Sequence, residues 1–487
     1  MLTVNKIGNG KIRTIVKNNS YEFYNHVKYS RQASGKKGRS LLLSLEKSRN
    51  CIINRNYSLN RNKIGGYRFL NNPRITEQSL LDGLKEQCKK NCKGLHVIGI
   101  QDTTEYNYQH HVNRLKEGTL GVIGNDSDHG YFAHLMITFN AENCLPQGVS
   151  YCRLWSREPQ HKKRSERQYK KLPIEEKESY RWIEAAEQTK SLLKEANHIT
   201  LISDRESDIY QCWDRIPDDK TDLIIRAHTN RSLFNQSSTV YQVLEKQEIA
   251  GSYSVKLKGD KRANQSKRTA LLNIKYAEVQ IKKPESVRGD PSAEDHITLM
   301  VVEAREDNST VKKNESPIHW VLFTTYAVED FEQACLIIDW YGFRWQIEQF
   351  IRITKSQGLD LENSQLETGQ GLKNLALLAF ASSLTILQMS LARDGRVNDD
   401  VKKYFSKQNI IVLGLLNDQL KGTTKKQQNP FPRQTLAWAT WLIARLGGYG
   451  GYSSQSPPGP RTFIWGLQKL FQIKMGYYLS QKDVYKE

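Results

Sequence analysis

The sequence predicts an α/β fold, and three observations carry that prediction. Apolar runs of strand length recur at Leu95–Ile100, Tyr131–Asn140, Gly148–Trp155 and His198–Ser203. A long helical stretch, Ile174–Ala196, separates the third run from the fourth, with Trp182, Ala185, Ala186, Leu192 and Leu193 available to its buried face. Two of the runs lead straight into acidic residues, Asp102 and Asp204. Three strands, a helix and a strand are the opening of a ribonuclease-H-like sheet.

The elements follow in order. Residues 1–75 hold 16 Lys and Arg against two acids, whereas the other 412 residues hold 56 against 50, so the surplus sits in an N-terminal arm. Such asymmetry suits contact with a polyanion, because each cation placed on a phosphate releases counterions. A solvated basic tail is the alternative. One short helix is expected near Leu41–Leu45, and Tyr67-Arg68-Phe69-Leu70 before Asn71-Asn72-Pro73 reads as a helix end and turn. Residues 76–92 follow as an amphipathic helix with Leu80, Leu81 and Leu84 on one face. Residues 76–218 are taken as the first part of the core. Residues 219–318 alternate in the manner of strands, at Tyr253–Lys258, Leu271–Val279 and His296–Val302, and are expected to be a β-strand insertion. Residues 319–369 complete the core, with one helix over Glu329–Gln357. Residues 370–487 are expected to be a helical C-terminal domain, with a polar linker at Ser406–Gln428, a short helix at Trp438–Leu446 and a last helix around Trp465–Gly476.

The net charge is +20 and seven cysteines are scattered without pattern. That set implies no disulfide framework and a reducing compartment. No signal peptide is expected, and no run of about 20 apolar residues fit to span a membrane. A cytoplasmic protein is the expectation.

Three acids are candidates for chemistry. Asp102 and Asp204 each close an apolar strand, and neighbouring strands lie about 4.7–4.9 Å apart, so both could serve one pair of hard divalent cations. A turn residue (Asp102) and a helix N-cap (Asp204) are the plain alternatives. On a helix, Tyr341, Arg344, Glu348, Arg352 and Lys355 share a face, while Phe343, Ile347, Phe350 and Ile351 face the core. Glu348 is then a third ligand with cations left over for phosphates, or else half of an ordinary Arg344–Glu348 pair.

The spacing Tyr341, Arg344, Glu348, Lys355 resembles the Tyr-Arg-Glu-Lys signature of the insertion-sequence-four family of bacterial transposases. Ile100-Gln101-Asp102-Thr103-Thr104 and Ser203-Asp204-Arg205-Glu206-Ser207-Asp208 are similar to its two acidic motifs. The Gly66–Phe69, Asn72-Pro73, Glu176–Trp182 and Ala444–Gly448 segments are similar as well. The resemblance implies a catalytic, metal-binding triad of Asp102, Asp204 and Glu348. It implies two Mg²⁺ ions, with Mn²⁺ as the other candidate. It also implies cut-and-paste transposition of double-stranded DNA through a hairpin, by a homodimer in a bacterial cytoplasm. Tyr341, Arg344 and Lys355 match phosphate-gripping positions, with Arg352 beside them. Trp320 resembles an aromatic that receives a flipped base, and Arg226 matches a basic position in the insertion. For Trp320 a buried sheet residue, and for Arg226 a surface strand cation, are the alternatives. Residues 1–60 keep the basic charge of the family's DNA-end reader but match its pattern poorly. A non-transposing metal nuclease and an inactive DNA-binding remnant stay open.

Overall fold

The computed structural model describes residues 41, 45, 50–56, 60–159, 172–257, 267–312, 315–397, 399–452 and 455–483. Most of the basic arm therefore lies outside the described residues, although Leu41 and Leu45 are helical and fully buried. The helices are α1 (Ile53–Asn56), α2 (Asn60–Leu70), α3 (Glu77–Cys92), α4 (Tyr180–Leu192), α5 (Tyr210–Arg215), α6 (Val240–Lys246), α7 (Phe331–Phe343), α8 (Trp345–Thr354), α9 (Gly369–Ala392), α10 (Lys407–Gln419), α11 (Leu436–Leu446) and α12 (Pro460–Asp483). The strands are β1 (His96–Asn107), β2 (Gly130–Asn140), β3 (Pro146–Trp155), β4 (His198–Ser203), β5 (Thr221–Arg226), β6 (Gly251–Leu257), β7 (Arg268–Lys282), β8 (His296–Glu306) and β9 (His319–Thr324).

All nine strands form one sheet in the order β3-β2-β1-β4-β5-β9-β8-β7-β6. β1 pairs antiparallel with β2 and parallel with β4, and β4 pairs parallel with β5. This mixed α/β architecture is consistent with a ribonuclease-H-like domain. The alternating segment is not a body apart from the sheet. β5, counted with the insertion by its position, pairs with β4, and β9, β8, β7 and β6 continue the same sheet outward.

Strand alternation sends Ile98, Ile100, Ile202, Ile224 and Leu322 to a front core under α7, α8 and α9. It sends Val97, Ile199, Leu201, Leu223 and Ile225 to a rear core with Ile183, Ala185 and Ala186 of α4. Helix α3 starts at Thr76, whose hydroxyl accepts from Ser79 N–H at 3.1 Å. It lies so close to β3 that a Cβ on Gly148 would stand 2.6 Å from that of Cys88. The turn after α2 is pinned to α9, where the Asn374 amide donates to Leu70 and Ile75 carbonyls, both at 3.0 Å.

Four expectations are corrected. β1 runs on to Asn107, so Asp102 lies within the strand, because Thr103–Asn107 keep pairing with β2 after β4 has left. The helix over 329–357 is two helices meeting at Arg344, where the chain tightens into i to i+3 bonds (Arg344 N–H to Tyr341 O, 3.0 Å; Ile347 N–H to Arg344 O, 3.2 Å). Residues 407–419, read as linker, are helical because Val412, Leu413 and Leu416 bury one stripe. Finally, α9 is long and apolar enough to cross a membrane, but 83% of its most apolar window is buried inside the protein, as in a core helix.

Candidate active site

Asp102 belongs to the front face of β1 by its parity with Ile98 and Ile100. The parallel ladder between β1 and β4 ends at Ile100 and Ile202, two residues short of both aspartates. Beyond that point the strands part, which opens the sheet edge on which Asp102 and Asp204 stand. One oxygen of each carboxylate is tied to the following N–H, Asp102 to Thr103 and Asp204 to Arg205, both at 2.7 Å. Asp204 thus also caps a short 3-10 turn, Arg205–Ser207. The capping role and a chemical role coexist, because the cap uses one oxygen.

The helix pair then closes the site. The Arg344 guanidinium donates to Glu348 Oε1 at 3.0 Å and to Asp102 Oδ2 at 3.4 Å. The Tyr341 hydroxyl donates to Asp204 Oδ1 at 3.3 Å. Arg344 is only 13% exposed, against 26% for Asp102 and 27% for Glu348, so these contacts are shielded well beyond a surface pair. The break at Arg344 matters here, since it brings the end of α7 and the first turn of α8 onto one point. Burial pushes the Asp102 carboxyl up to about 6; the Thr103 N–H and Arg344 oppose this, and Glu348 and Asp204 add to it. Burial also raises Glu348 against the pull of Arg344. Tyr341 is pushed up to about 12, by burial first and by Asp204 second. Crowded carboxylates whose ionisation burial resists are a site that favours added positive charge.

The other predicted residues divide. Trp320 on β9 is half-buried, with its ring edge-on to Tyr341 at 5.2 Å. Arg226, at the end of β5 and opposite Leu322, reaches the His319 carbonyl at 3.4 Å and is one of the charges Tyr341 senses. Lys355 lies over the Tyr106 ring at 5.2 Å and 3.7 Å from Glu362, away from the carboxylates. Arg352 stacks on Trp345 at 5.1 Å, and its charge still lowers Glu348. A cleft of about 470 Å³ elsewhere, whose lining includes Tyr67, Arg114, Lys116 and Thr368, contains none of the predicted residues.

Sequence reasoning missed the layer behind the site. Gln101, Ser203 and His134 are buried there and joined by hydrogen bonds, with Thr103 and Arg181 at the outer end. The available signal was a histidine in the mostly apolar run of β2, all of which is buried.

Residues 181–385 match the family model of the transposase DDE domain. The match includes Asp204, Arg226, Trp320, Tyr341, Arg344, Glu348, Arg352 and Lys355, and begins after Asp102. A transposase domain of this kind cuts and transfers DNA and generally uses divalent metal. Among the described residues, no three His, Cys, Asp or Glu side chains are gathered closely enough to hold a metal ion, and Arg344 links Asp102 to Glu348. The donor set itself fits the metal: three carboxylates from three elements offer only hard oxygen.

Proposed function

We propose that this chain is a cut-and-paste DNA transposase of the insertion-sequence-four kind, with Asp102, Asp204 and Glu348 as its catalytic triad. The observation that carries the reading is that Arg344 joins Asp102 to Glu348 while Tyr341, at the end of the preceding helix, bonds Asp204, at the sheet edge where β1 and β4 part. The match of residues 181–385 to the transposase DDE domain supports it. The three carboxylates would hold two Mg²⁺ ions, or Mn²⁺ in their place. Such a pair supplies activated water and neutralises charge on the phosphate under attack.

The remaining side chains bind and orient. Arg344 offsets the mutual repulsion of Asp102 and Glu348, and its guanidinium would be free to grip a phosphate in a metal-loaded site. Tyr341 orients Asp204 and is itself buttressed by Trp320. Trp320 offers an aromatic ring beside the site, on whose face a base extruded at the hairpin would recover stacking. Arg226, Arg352 and Lys355 supply cations to the DNA backbone around it. Residues 1–75 read the terminal inverted repeats in this account. Residues 76–218 and 319–369 form the core around the 219–318 strands, and residues 370–487 pair two subunits across two DNA ends in the bacterial cytoplasm.

The second reading is a DNA-binding remnant without catalysis. What favours it is Arg344 standing between Asp102 and Glu348. The test is cleavage of a labelled duplex bearing the element's own terminal repeat, with and without Mg²⁺. Nicks and then hairpins at the repeat boundary, absent with Glu348→Ala, uphold the transposase. Binding without any metal-dependent cut replaces it with the remnant.

A further inference from the structure

The two aspartates are separated by 101 residues of chain, and the main-chain ladder that ought to set their spacing stops short of them. Behind the site, side chains take over. Gln101 Nε2 donates to Ser203 Oγ at 2.9 Å, one residue beyond the last paired residues Ile100 and Ile202. This is the outermost cross-link between β1 and β4 before Asp102 and Asp204. It depends on which way the Gln101 amide faces, and His134 decides that. His134 Nε2 lies 3.1 Å from Gln101 Oε1, and its Nδ1 lies 2.8 Å from Thr103 Oγ1. Arg181 Nε donates to the same Thr103 hydroxyl at 3.0 Å, and its Nη2 to Glu206 at 3.0 Å.

With the Gln101 amide as it stands in the structure, proton accounting leaves one assignment. Gln101 uses its N–H on Ser203, so its oxygen faces His134 and accepts; His134 Nε2 must donate. Thr103 accepts from Arg181 and therefore gives its own proton to His134 Nδ1. A neutral imidazole protonated at Nε2 satisfies every partner. Burial favours that neutral form, as do the nearby charges of Arg181 and Arg153. Trp182 closes the pocket edge-on at 4.7 Å, so the ring has no room to turn. The partners are Gln101 and Thr103, the two neighbours of Asp102, while Ser203 is the neighbour of Asp204.

We propose that His134 is a positioning residue. It touches neither metal nor DNA, and it fixes the distance between Asp102 and Asp204 by locking the Gln101–Ser203 link. This rests on the transposase reading for its effect on rate, but the lock itself is a property of the fold. Misplacing a catalytic group by about 1 Å costs on the order of a hundred-fold in rate.

The experiment has two arms on the full chain. In the first, His134→Phe, His134→Gln and Ser203→Ala are compared for DNA affinity and for cleavage rate at saturating DNA and metal. His134→Phe and Ser203→Ala are expected to lose about a hundred-fold in rate with DNA affinity and melting cooperativity retained. Gln can still donate to Gln101, so His134→Gln is expected to recover most of the loss. An unchanged rate in Ser203→Ala, or no recovery in His134→Gln when both are folded, overturns the proposal. In the second arm, nitrogen-15 NMR reads the ring directly. A neutral Nε2–H tautomer that does not titrate between pH 5 and 8, and that loses this preference in Gln101→Leu, supports the lock; an Nδ1–H or titrating ring overturns it. If the wild-type protein cuts no DNA, the transposase reading falls, and the NMR arm still decides the lock.

Discussion

The two halves of the nine-stranded sheet are built on different terms. In the half that carries Asp102, β2 is buried along its whole length, with cores on both faces. In the other half, β6 alternates half-buried and exposed residues from end to end. The first half is held by packing, although it also buries polar side chains such as Gln101, His134 and Thr138. The outer half is packed too, through Leu272, Ile274 and Val302 on one face and Ile281, Leu299 and Val301 on the other, and it adds buried charge: Arg268, 4% exposed, pairs with Glu306 and Glu315, which are 0% and 6% exposed. Trp320 on β9 and Arg226 on β5 stand on the two strands that join the halves. The comparison teaches that the proposed site lies where the inner strands meet the strands that extend the sheet, so that the proposed metal positioning and DNA contact should be separable by mutation.

The strongest way to break that separation is at the proposed triad. Glu348→Ala should abolish metal-dependent cleavage in a duplex-nicking assay while the melting temperature moves little, since Glu348 is part-exposed and Arg344 keeps Asp102 as a partner. Arg268→Ala should do the reverse. It strands two buried carboxylates, and losing one partner of such a cluster costs about 3–5 kcal/mol, to be read as a lower denaturation midpoint. Residual cleavage per folded molecule should survive, because the carboxylates stand on the other half. Acid should affect the packed half through His134. Its pKa is held well below 6.5 by burial, so folding gains from the neutral ring above 6.5 and loses that gain as pH falls below it. Stability should therefore fall as the pH drops below 6.5, and His134→Gln should flatten that part of the stability curve. The smallest effect is expected at the junction. Trp320→Ala should weaken the hairpin stage by about 1–3 kcal/mol, the worth of one base stack, with first-strand nicking preserved; equal loss at both stages would make Trp320 a buttress of Tyr341 alone.

Much of this was legible beforehand for local reasons. Apolar runs announced β1 to β4, and the run from Tyr341 to Glu348 drew the eye to Tyr341, Arg344 and Glu348, which the structure brings to Asp102 and Asp204 across a break between two helices and not along one helical face. The misses were non-local. Thr103–Asn107 look like a polar turn, and only pairing with β2 makes them strand. Helix α10 is amide-rich, and its narrow apolar stripe shows only against α12 and α11. Arg352 and Lys355 share the predicted face, yet aromatic partners draw them elsewhere. The Gln101–His134–Ser203 chain joins three strands, and its members carry no spacing that a linear reading could register.

The central claim is that the three acids hold metal for phosphoryl transfer, and a change of metal preference tests it most directly. Asp204→Cys replaces a hard oxygen ligand by a softer thiolate, which Mn²⁺ accepts more readily than Mg²⁺. The account predicts that this variant is inactive with Mg²⁺ and regains cleavage with Mn²⁺, whereas Asp204→Ala regains none. Equal cleavage by Asp204→Cys with both metals, or none with either while the wild type cuts with both, would contradict it.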